Sequence, residues 1–242
     1  MPGLEVDVIA LPSEGGEGGD LYALFSCGDH HFCRMVLADA VGHGYTASEV
    51  VRQVHALLHK YNDMRDPSGL LAALNEDFPA AGDIPGVPLR LTTVVTATYH
   101  CDTGEFNYAY AAHPRMLEWR TRNGRWGVLG EGLEGLPLGV ISGELYSQQS
   151  VKLEPGDLVM AFSDALTEVE SPDGTELTAE GFLELAERTM ARFSQPVPLD
   201  EFSRELLAGV RHYHGSDRFR DDLTLLTLRR RSQEQDQALE PG

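Results

Sequence analysis

Four aspartates stand where apolar segments of the sequence meet turns. Asp39 and Asp164 each end an apolar run, and Asp20 and Asp221 each begin one. In antiparallel pairing the end of one strand lies beside the start of its partner, so all four carboxylates can gather at one sheet edge. A single aspartate at such a position is usually a turn former or a helix cap. Four of them on a common edge favour a binding site.

A carboxylate cluster with few histidines suits hard cations, and Mg²⁺ or Mn²⁺ are the expected ions. Two such ions, roughly 3.5–4 Å apart, can share a carboxylate and bridge a water molecule. That water loses a proton readily and attacks phosphorus in line, while the ions neutralise charge on the phosphoryl oxygens. The aspartates therefore indicate metal-dependent phosphoryl chemistry.

Asp39 occupies the most informative of the four positions, in residues 36–47. An apolar strand runs into this aspartate, and a glycine-lined turn and a helix follow. If the preceding turn centres near Asp29 and His30, Asp20 lies opposite Asp39 in one antiparallel hairpin. Like charges directly opposite are destabilising, and a bound cation is a physical reason to tolerate them.

Period-two and β-branched patterns predict the strands that must position these residues. The predicted strands are 4–11, 21–26, 32–38, 89–101, 106–112, 115–120, 145–153, 158–163 and 223–228. Helical periodicity predicts helices over 46–61, 67–78 and 179–193, and a fourth that begins at Asp200. Thr46 and Glu49 have the spacing of a capping box for the first helix, and Asp200 is the expected cap of the last.

Strands in hairpins and meanders, with helices in two pairs, predict antiparallel sheets that pack together under helices. This is an α+β layered architecture. No linker or internal repeat interrupts it, so we expect one domain over residues 1–230. Residues 231–242 are polar, and we expect a disordered tail there.

Composition excludes several classes of partner. The 242 residues carry a net charge of −19, which repels nucleic acid and anionic membranes. No apolar run approaches the 18 residues of a membrane span, and the first residues lack the features of a signal peptide. We therefore expect a cytoplasmic protein. Cys27, Cys33 and Cys101 are an odd number without metal-ligand spacing, and we expect three buried free thiols.

A set of short motifs occurs in a fixed order along the chain. They are Gly18-Gly-Asp20, Ala38-Asp-Ala-Val-Gly-His-Gly44, Ala112-His-Pro114, Leu136-Pro-Leu-Gly139, Gly156-Asp157 with Ser163-Asp-Ala-Leu-Thr-Glu168, and Asp221-Asp-Leu-Thr224. Together they resemble the SpoIIE-type branch of the PPM metal-dependent serine/threonine phosphatases, the family related to protein phosphatase 2C. The resemblance covers nearly the whole chain.

This resemblance implies a four-layer αββα sandwich with a dinuclear Mn²⁺ or Mg²⁺ centre, two ions per site, at one edge. It also implies hydrolysis of phosphoserine or phosphothreonine on a protein substrate. In this branch the substrate is commonly a STAS-domain anti-sigma-factor antagonist in a partner-switching pathway. A homodimer is a further expectation.

The resemblance also implies a role for each matching residue. Asp39 is the carboxylate shared by both ions, and the carbonyl of Ala40 is a backbone ligand. Asp164 and Asp221 complete one metal site, and Asp20 contacts the other ion. Asp39 and Asp164 would act in catalysis through a metal-activated water. Asp222 is expected to orient the start of the last strand.

Two alanines depart from the family pattern. Ala165 and Ala112 stand where the family usually has glycine, and a methyl group at residue 165 would be strained if φ is positive there. His43 is expected to stabilise its turn, and His113 to hold the segment before Pro114. No arginine directly precedes Asp20, so phosphate binding would rest on the metals, with three arginines as weaker candidates. These arginines are Arg115, Arg218 and Arg220.

Two other readings stay open at this point. A catalytically weak or inactive module of the same fold would bind a partner in the pathway without turnover. A glycosidase would use two of the carboxylates as acid and base, but the sequence lacks an aromatic-rich platform for a sugar.

Overall fold

A computed structural model gives the fold and describes residues 1–13, 18–26, 31–41, 45–78 and 91–232. These residues hold ten strands, four α-helices and one 3₁₀ turn. The strands are β1 (Leu4–Leu11), β2 (Asp20–Ser26), β3 (Phe32–Ala40), β4 (Thr92–His100), β5 (Glu105–Ala111), β6 (Leu117–Arg120), β7 (Arg125–Val128), β8 (Gln148–Lys152), β9 (Leu158–Phe162) and β10 (Leu223–Arg230). The helices are α1 (Tyr45–Lys60), α2 (Pro67–Asp77), α3 (Thr178–Met190) and α4 (Leu199–His214).

Two antiparallel sheets form the centre of the fold. The first has the strand order β1-β10-β9-β6-β7 and the second has the order β2-β3-β4-β5-β8. Helices α3 and α4 pack on the outer face of the first sheet, and α1 and α2 pack on the outer face of the second. The predicted α+β sandwich of four αββα layers is therefore confirmed.

Strand β3 shows why the central strands read as apolar runs. Met35 and Leu37 point into the core between the sheets, whereas Val36 and Ala38 point into the core beneath α1 and α2. Because both faces of the strand are covered, both sets of alternating positions must be apolar. A third core lies between the first sheet and the pair α3 and α4.

Several helix and strand ends differ from the sequence predictions. Helix α1 begins at Tyr45, so Thr46 lies inside its first turn and is not its cap. Pro198 is the N-cap of α4, and Asp200 lies in the first turn of the helix, where it pairs with Arg204. Strand β10 continues beyond residue 228 because Arg229 bonds Glu5 of the neighbouring strand.

Some predictions lie outside the described residues. They concern the turn at 27–30 with Cys27, the turn at 42–44 with His43, and residues 233–242 of the tail. Cys33 and Cys101 are free thiols, with their sulfur atoms 4.0 Å apart. In the parts of the chain that the structure describes, we find no helix with both the length and the apolar character needed to cross a bilayer.

The two alanines that replace family glycines have different backbone conformations. Ala112, directly after β5, has a φ of 54°. Ala165 lies inside the 3₁₀ turn Asp164–Leu166 and is absent from the residues of positive φ. The strain considered for Ala165 is therefore not found, and it lies at Ala112 instead, because a β-carbon is disfavoured in the left-handed region.

We expect Ala112→Gly to raise the free energy of unfolding by about 0.5–1 kcal/mol. The relief of left-handed strain, about 1–2 kcal/mol, exceeds the entropy that glycine adds to the unfolded chain. Ala165→Gly is the matched control and should lower stability by about 0.5–1 kcal/mol, since its backbone suits alanine. Urea denaturation of both variants measures the effect, and equal signs for the two would contradict this assignment of strain.

Candidate metal centre

Asp20 and Asp39 form the first half of the candidate site. They are directly paired in the antiparallel ladder of β2 and β3, so the register predicted from the hairpin is confirmed. The Thr224 hydroxyl of β10 donates to Asp20 Oδ2 at 2.6 Å. Because β10 belongs to the other sheet, this bond ties the hairpin to the first sheet at the edge where the sandwich opens.

Asp222 is a clamp between the two sheets. Its carboxylate accepts the backbone N–H of Ser13 at 2.7 Å and those of Gly19 and Asp20 at 2.5 and 3.3 Å. Orienting the start of the last strand, the role expected for Asp222, is therefore only part of what its side chain does. The side chain fixes the segment that leads into Asp20, more than 200 residues away in the sequence.

The same clamp changes the environment of the Ala40 carbonyl. Ala40 donates its N–H to Gly19 O at 3.0 Å, and a regular antiparallel pair would return a bond from Gly19 N–H to Ala40 O. Gly19 N–H instead donates to Asp222. The carbonyl oxygen of Ala40 therefore lacks this ladder bond, which leaves it available to a cation.

Gly19 also keeps space open beside that oxygen. A β-carbon on Gly19 would lie 2.9 Å from Ala40 O and 3.6 Å from Asp39 Oδ1. A contact of 2.9 Å is too short for carbon and oxygen, so a side chain at residue 19 would fill the cradle between the hairpin strands. Steric exclusion of a side chain thus explains why glycine precedes Asp20.

Asp164 and Asp221 approach from the first sheet. Asp164 begins the 3₁₀ turn that follows β9, and it lies close enough to Asp39 for its charge to act on that carboxylate. Asp221 precedes β10, and its carboxylate accepts the N–H of Asp222 at 2.8 Å. Both sheets thus contribute aspartates to one edge, as strand order and antiparallel pairing require.

Burial and mutual repulsion perturb these carboxylates. Burial, followed by the charges of Asp164 and Asp20, raises the pKa of Asp39 to about 8. Burial likewise raises the pKa of Asp20 to about 7, although hydrogen bonds from Thr224 and Ser163 oppose it. The pKa of Asp164 is also raised, by burial and then by the charge of Asp221. A cation of charge two would remove this cost.

The oxygen donors are of the type that binds a hard divalent ion, but the side chains do not form a complete coordination sphere. In the described residues no group of three or more His, Cys, Asp or Glu side chains is placed to hold a metal ion. One carboxylate oxygen of Asp20 accepts the Thr224 hydroxyl and is directed to that residue. Binding would therefore involve small side-chain rotations, with an all-oxygen set that Mg²⁺ and Mn²⁺ prefer.

An open cavity of about 340 Å³ adjoins Asp164 and Asp221. Glu168 and Glu170 line one part of it, and Arg220 lies on its wall. The charge of Asp164, more than burial, raises the pKa of Glu168. Solvent therefore has access to Asp164 and Asp221 on the side of the first sheet.

His113 is a buried, uncharged histidine near the site. Its Nδ1 lies 2.8 Å from the hydroxyl of Thr93, which is paired with Asp39 across β3 and β4. Burial lowers the pKa of His113 to about 3, against a smaller effect of a hydrogen bond to the Phe162 backbone. The contact with Thr93 fits the expected structural role and places His113 beside the strand pair that carries Asp39.

The three candidate arginines have different positions. Arg115 donates to the carbonyls of Gly130 and Leu133 and is engaged there. Arg218 lines a different cavity, beside Leu11 and Pro12. Arg220 alone of these three borders the cavity at Asp164 and Asp221.

Sequence reasoning missed two hydroxyl residues of the site. Thr224 donates its hydroxyl to Asp20, and Ser163 accepts the N–H of Thr224 at 2.9 Å and donates its hydroxyl to the carbonyl of Asp222 at 3.3 Å. Both stand inside the quoted motifs, immediately before Asp164 and shortly after Asp221. Their position beside the aspartates was the available signal.

Comparison with known proteins gives consistent relatives. A family model described as stage II sporulation protein E (SpoIIE) matches residues 29–231. The phosphoserine phosphatase RsbU of Bacillus subtilis (strain 168) is 25% identical over 229 residues, which are 94% of this chain and 64% of that protein. The chain thus spans less than two thirds of the length of this relative.

Solved structures share the fold. The structure of the RsbU and RsbW domains of Rv1364c from Mycobacterium tuberculosis matches with a TM-score of 0.76 and 26% identity, over 96% of this chain and 62% of that one. The PP2C phosphatase domain of SpoIIE from Bacillus subtilis matches with a TM-score of 0.74 and 18% identity, over 93% and 63%. The catalytic domain of the serine/threonine phosphatase PstP, solved with two manganese ions, matches with a TM-score of 0.64 and 15% identity, over 95% and 99%.

The raised pKa values predict how pH affects the metal-free chain. Asp20 and Asp39 bind protons more tightly when folded than when unfolded, where an aspartate has a pKa of 3.8. Their contribution to stability is therefore complete below about pH 4 and is lost as pH rises through 7 to 8. We expect Asp39→Asn to stabilise the chelator-treated protein by about 2 kcal/mol at pH 8 and by almost nothing at pH 4.

Urea denaturation at the two pH values measures this difference. Asp7→Asn, in β1 away from the four aspartates, is the control for loss of one negative charge. A gain at pH 8 that the control reproduces would show a general charge effect and not relief of the aspartate cluster.

The clamp predicts different outcomes for two adjacent aspartates. We expect Asp222→Asn to lower the free energy of unfolding by about 1–3 kcal/mol, because its amide group would face buried N–H donors. Asp221→Asn should not lower it, because that change removes one of the repelling charges. Thermal or urea denaturation without metal separates the two, and a larger loss in Asp221→Asn would contradict the clamp.

Proposed function

The chain belongs to the SpoIIE family, and from this membership and the geometry of its aspartates we propose that it is a metal-dependent protein serine/threonine phosphatase. The proposed reaction is hydrolysis of phosphoserine or phosphothreonine on a protein. The observation that carries the proposal is the meeting of aspartates from both sheets at one edge, beside an Ala40 carbonyl that lacks its ladder bond.

Each residue of the edge has a proposed role. Asp39 would be shared between two Mn²⁺ or Mg²⁺ ions, with the Ala40 carbonyl as a backbone ligand. Asp164 and Asp221 would complete one ion's ligands, and Asp20 would serve the other. The catalytic domain of PstP, which shares the fold, was solved in complex with two manganese ions.

When bound, the metal pair would lower the pKa of a shared water and neutralise charge on the phosphoryl oxygens. The chain's own residues would set the geometry. Asp222 and Thr224 hold the Asp20 segment against the first sheet, so that Asp20 and Asp39 stay opposite Asp164. Arg220, which lines the cavity 3.8 Å from the Glu170 carboxylate, is the arginine we propose for a phosphate approaching from that side.

The substrate we propose is a phosphorylated STAS-domain anti-sigma-factor antagonist in the cytoplasm. The similarity to the phosphoserine phosphatase RsbU supports a phosphorylated protein as the substrate class. We further propose residues 1–230 as the catalytic domain and residues 231–242 as a polar tail.

The test is an assay of p-nitrophenyl phosphate and a phosphoserine protein with and without Mn²⁺. We expect hydrolysis that requires the ion, and Asp39→Ala should lower kcat/KM by at least about 10³, or roughly 4 kcal/mol of transition-state stabilisation. Calorimetric titration with Mn²⁺ should show weakened binding in the same variant, independently of turnover.

Asp7→Ala is the control variant and should keep both properties. Equal activity of wild type and Asp39→Ala would sink the proposed mechanism. A folded chain that binds Mn²⁺ but hydrolyses neither compound would instead support a binding module without turnover, and chelator-resistant glycoside hydrolysis would revive the glycosidase reading.

A further inference from the structure

One surface loop exposes aliphatic side chains close to the candidate centre. We call residues 135–146 the aliphatic loop. Its side chains Leu136, Ile141 and Leu145 are 42%, 53% and 85% exposed. Val41, which directly follows Ala40, is 56% exposed. Single exposed aliphatics are ordinary, but several on one short segment mark an interaction site.

The backbone of this loop is firmly held. Asn75 of α2 accepts the N–H of Gly139 at 3.0 Å and donates to the carbonyl of Ile141 at 2.8 Å. The Tyr146 hydroxyl donates to the carbonyl of Leu136 at 3.0 Å. The exposed side chains therefore stand on a fixed backbone, so their exposure is not a result of a loose segment.

The loop is attached next to the strand that carries Asp39 and Ala40. Leu138 is fully buried and exchanges backbone hydrogen bonds of 2.9 and 3.3 Å with Thr92. Thr92 in turn is paired with Ala40 and donates its hydroxyl to Asp39 O at 2.8 Å. Two strand spacings separate Leu138 from Ala40, which places the loop about 10 Å from the site.

The loop's own stretch of sequence is acidic, although Arg115 donates to the carbonyls of Gly130 and Leu133 beside it. From residue 126 to residue 151 the chain has three glutamates and no lysine or arginine. The glutamates are Glu131, Glu134 and Glu144, and Glu144 lies against the backbone of Leu136. A partner complementary to this surface carries an aliphatic side chain with lysine or arginine beside it.

We propose that the aliphatic loop is the docking surface for the phosphorylated protein substrate, which presents an aliphatic residue flanked by basic residues near its phosphorylated residue. This inference rests on the proposed phosphatase function and deepens it. The distance of about 10 Å corresponds to three or four extended residues between phosphoserine and the anchoring residue.

The size of the surface favours a transient substrate over a second copy of the chain. A stable interface buries roughly 800 Å² on each partner, and three partly exposed aliphatic side chains supply only part of that area. A second copy would also bring its own glutamates against these three, and like charges across an interface are unfavourable. A short-lived contact with a basic partner has neither difficulty.

The experiment compares two synthetic phosphoserine peptides of equal length. In the first peptide, a leucine flanked by lysines lies four residues before phosphoserine and another lies four residues after it. In the second peptide, serine replaces these leucines and lysines. Wild type should hydrolyse the leucine–lysine peptide with at least a tenfold higher kcat/KM, mainly through KM. Ile141→Ser/Leu145→Ser should lose most of this preference while its activity on p-nitrophenyl phosphate stays unchanged.

Two matched controls separate the local effect from general ones. Val128→Ser removes an exposed aliphatic from β7 of the other sheet and should keep the preference. Glu144→Lys should weaken the preference severalfold, whereas Glu184→Lys on α3 makes the same change of charge and should not.

Equal use of the two peptides by wild type, or a preference that survives in Ile141→Ser/Leu145→Ser, would overturn the docking proposal. So would a fall in solution mass from dimer to monomer in that variant, because the loop would then bind a second copy. If wild type did not hydrolyse p-nitrophenyl phosphate, the proposed phosphatase function would be wrong instead. Peptide binding, measured by fluorescence anisotropy, then decides the docking proposal alone.

Discussion

Repulsion between carboxylates at one edge of the sandwich is the constraint on which the other features depend. Asp20 and Asp39 face each other across a hairpin, and Asp164 adds its charge from the opposite sheet. Burial makes this worse, because it removes the water that would screen the charges. Such an edge is stable only if the surrounding structure holds it firmly, and a divalent cation is the natural means of offsetting the charge.

The two sheets hold the edge through hydrogen bonds that cross between them. Asp222 binds backbone N–H groups of the segment before β2, and Thr224 binds Asp20. Because Asp222 takes the N–H of Gly19, the Ala40 carbonyl loses a regular ladder partner. The bond from Gly19 to Asp222 therefore positions the segment of Asp20, a charged candidate ligand, and leaves the carbonyl of Ala40, a neutral candidate ligand, without its ladder bond. A buried charged acceptor is costly unless it is well bonded, and three donors satisfy this condition at Asp222.

Local sequence patterns predicted the features that depend on residues close together in the chain. The pairing of Asp20 with Asp39 follows from the hairpin's length and alternation and was predictable. The clamp of Asp222 on Gly19 was not, since it joins residues more than 200 positions apart and depends on how the sheets pack. The two alanines show the same limit. Both replace a family glycine, but only the structure distinguishes the left-handed φ of Ala112 from the ordinary turn at Ala165.

The net charge of −19 bears on how such a site selects a substrate. A phosphorylated protein brings further negative charge, so the long-range field of the chain does not attract an acidic partner. At physiological ionic strength the field fades over about 8 Å, and within that distance bound cations and specific contacts decide. Recognition must then come from short-range packing and from basic groups on the substrate. In the docking that we propose, the exposed side chains of the aliphatic loop provide the packing, and its glutamates complement the basic groups of the substrate.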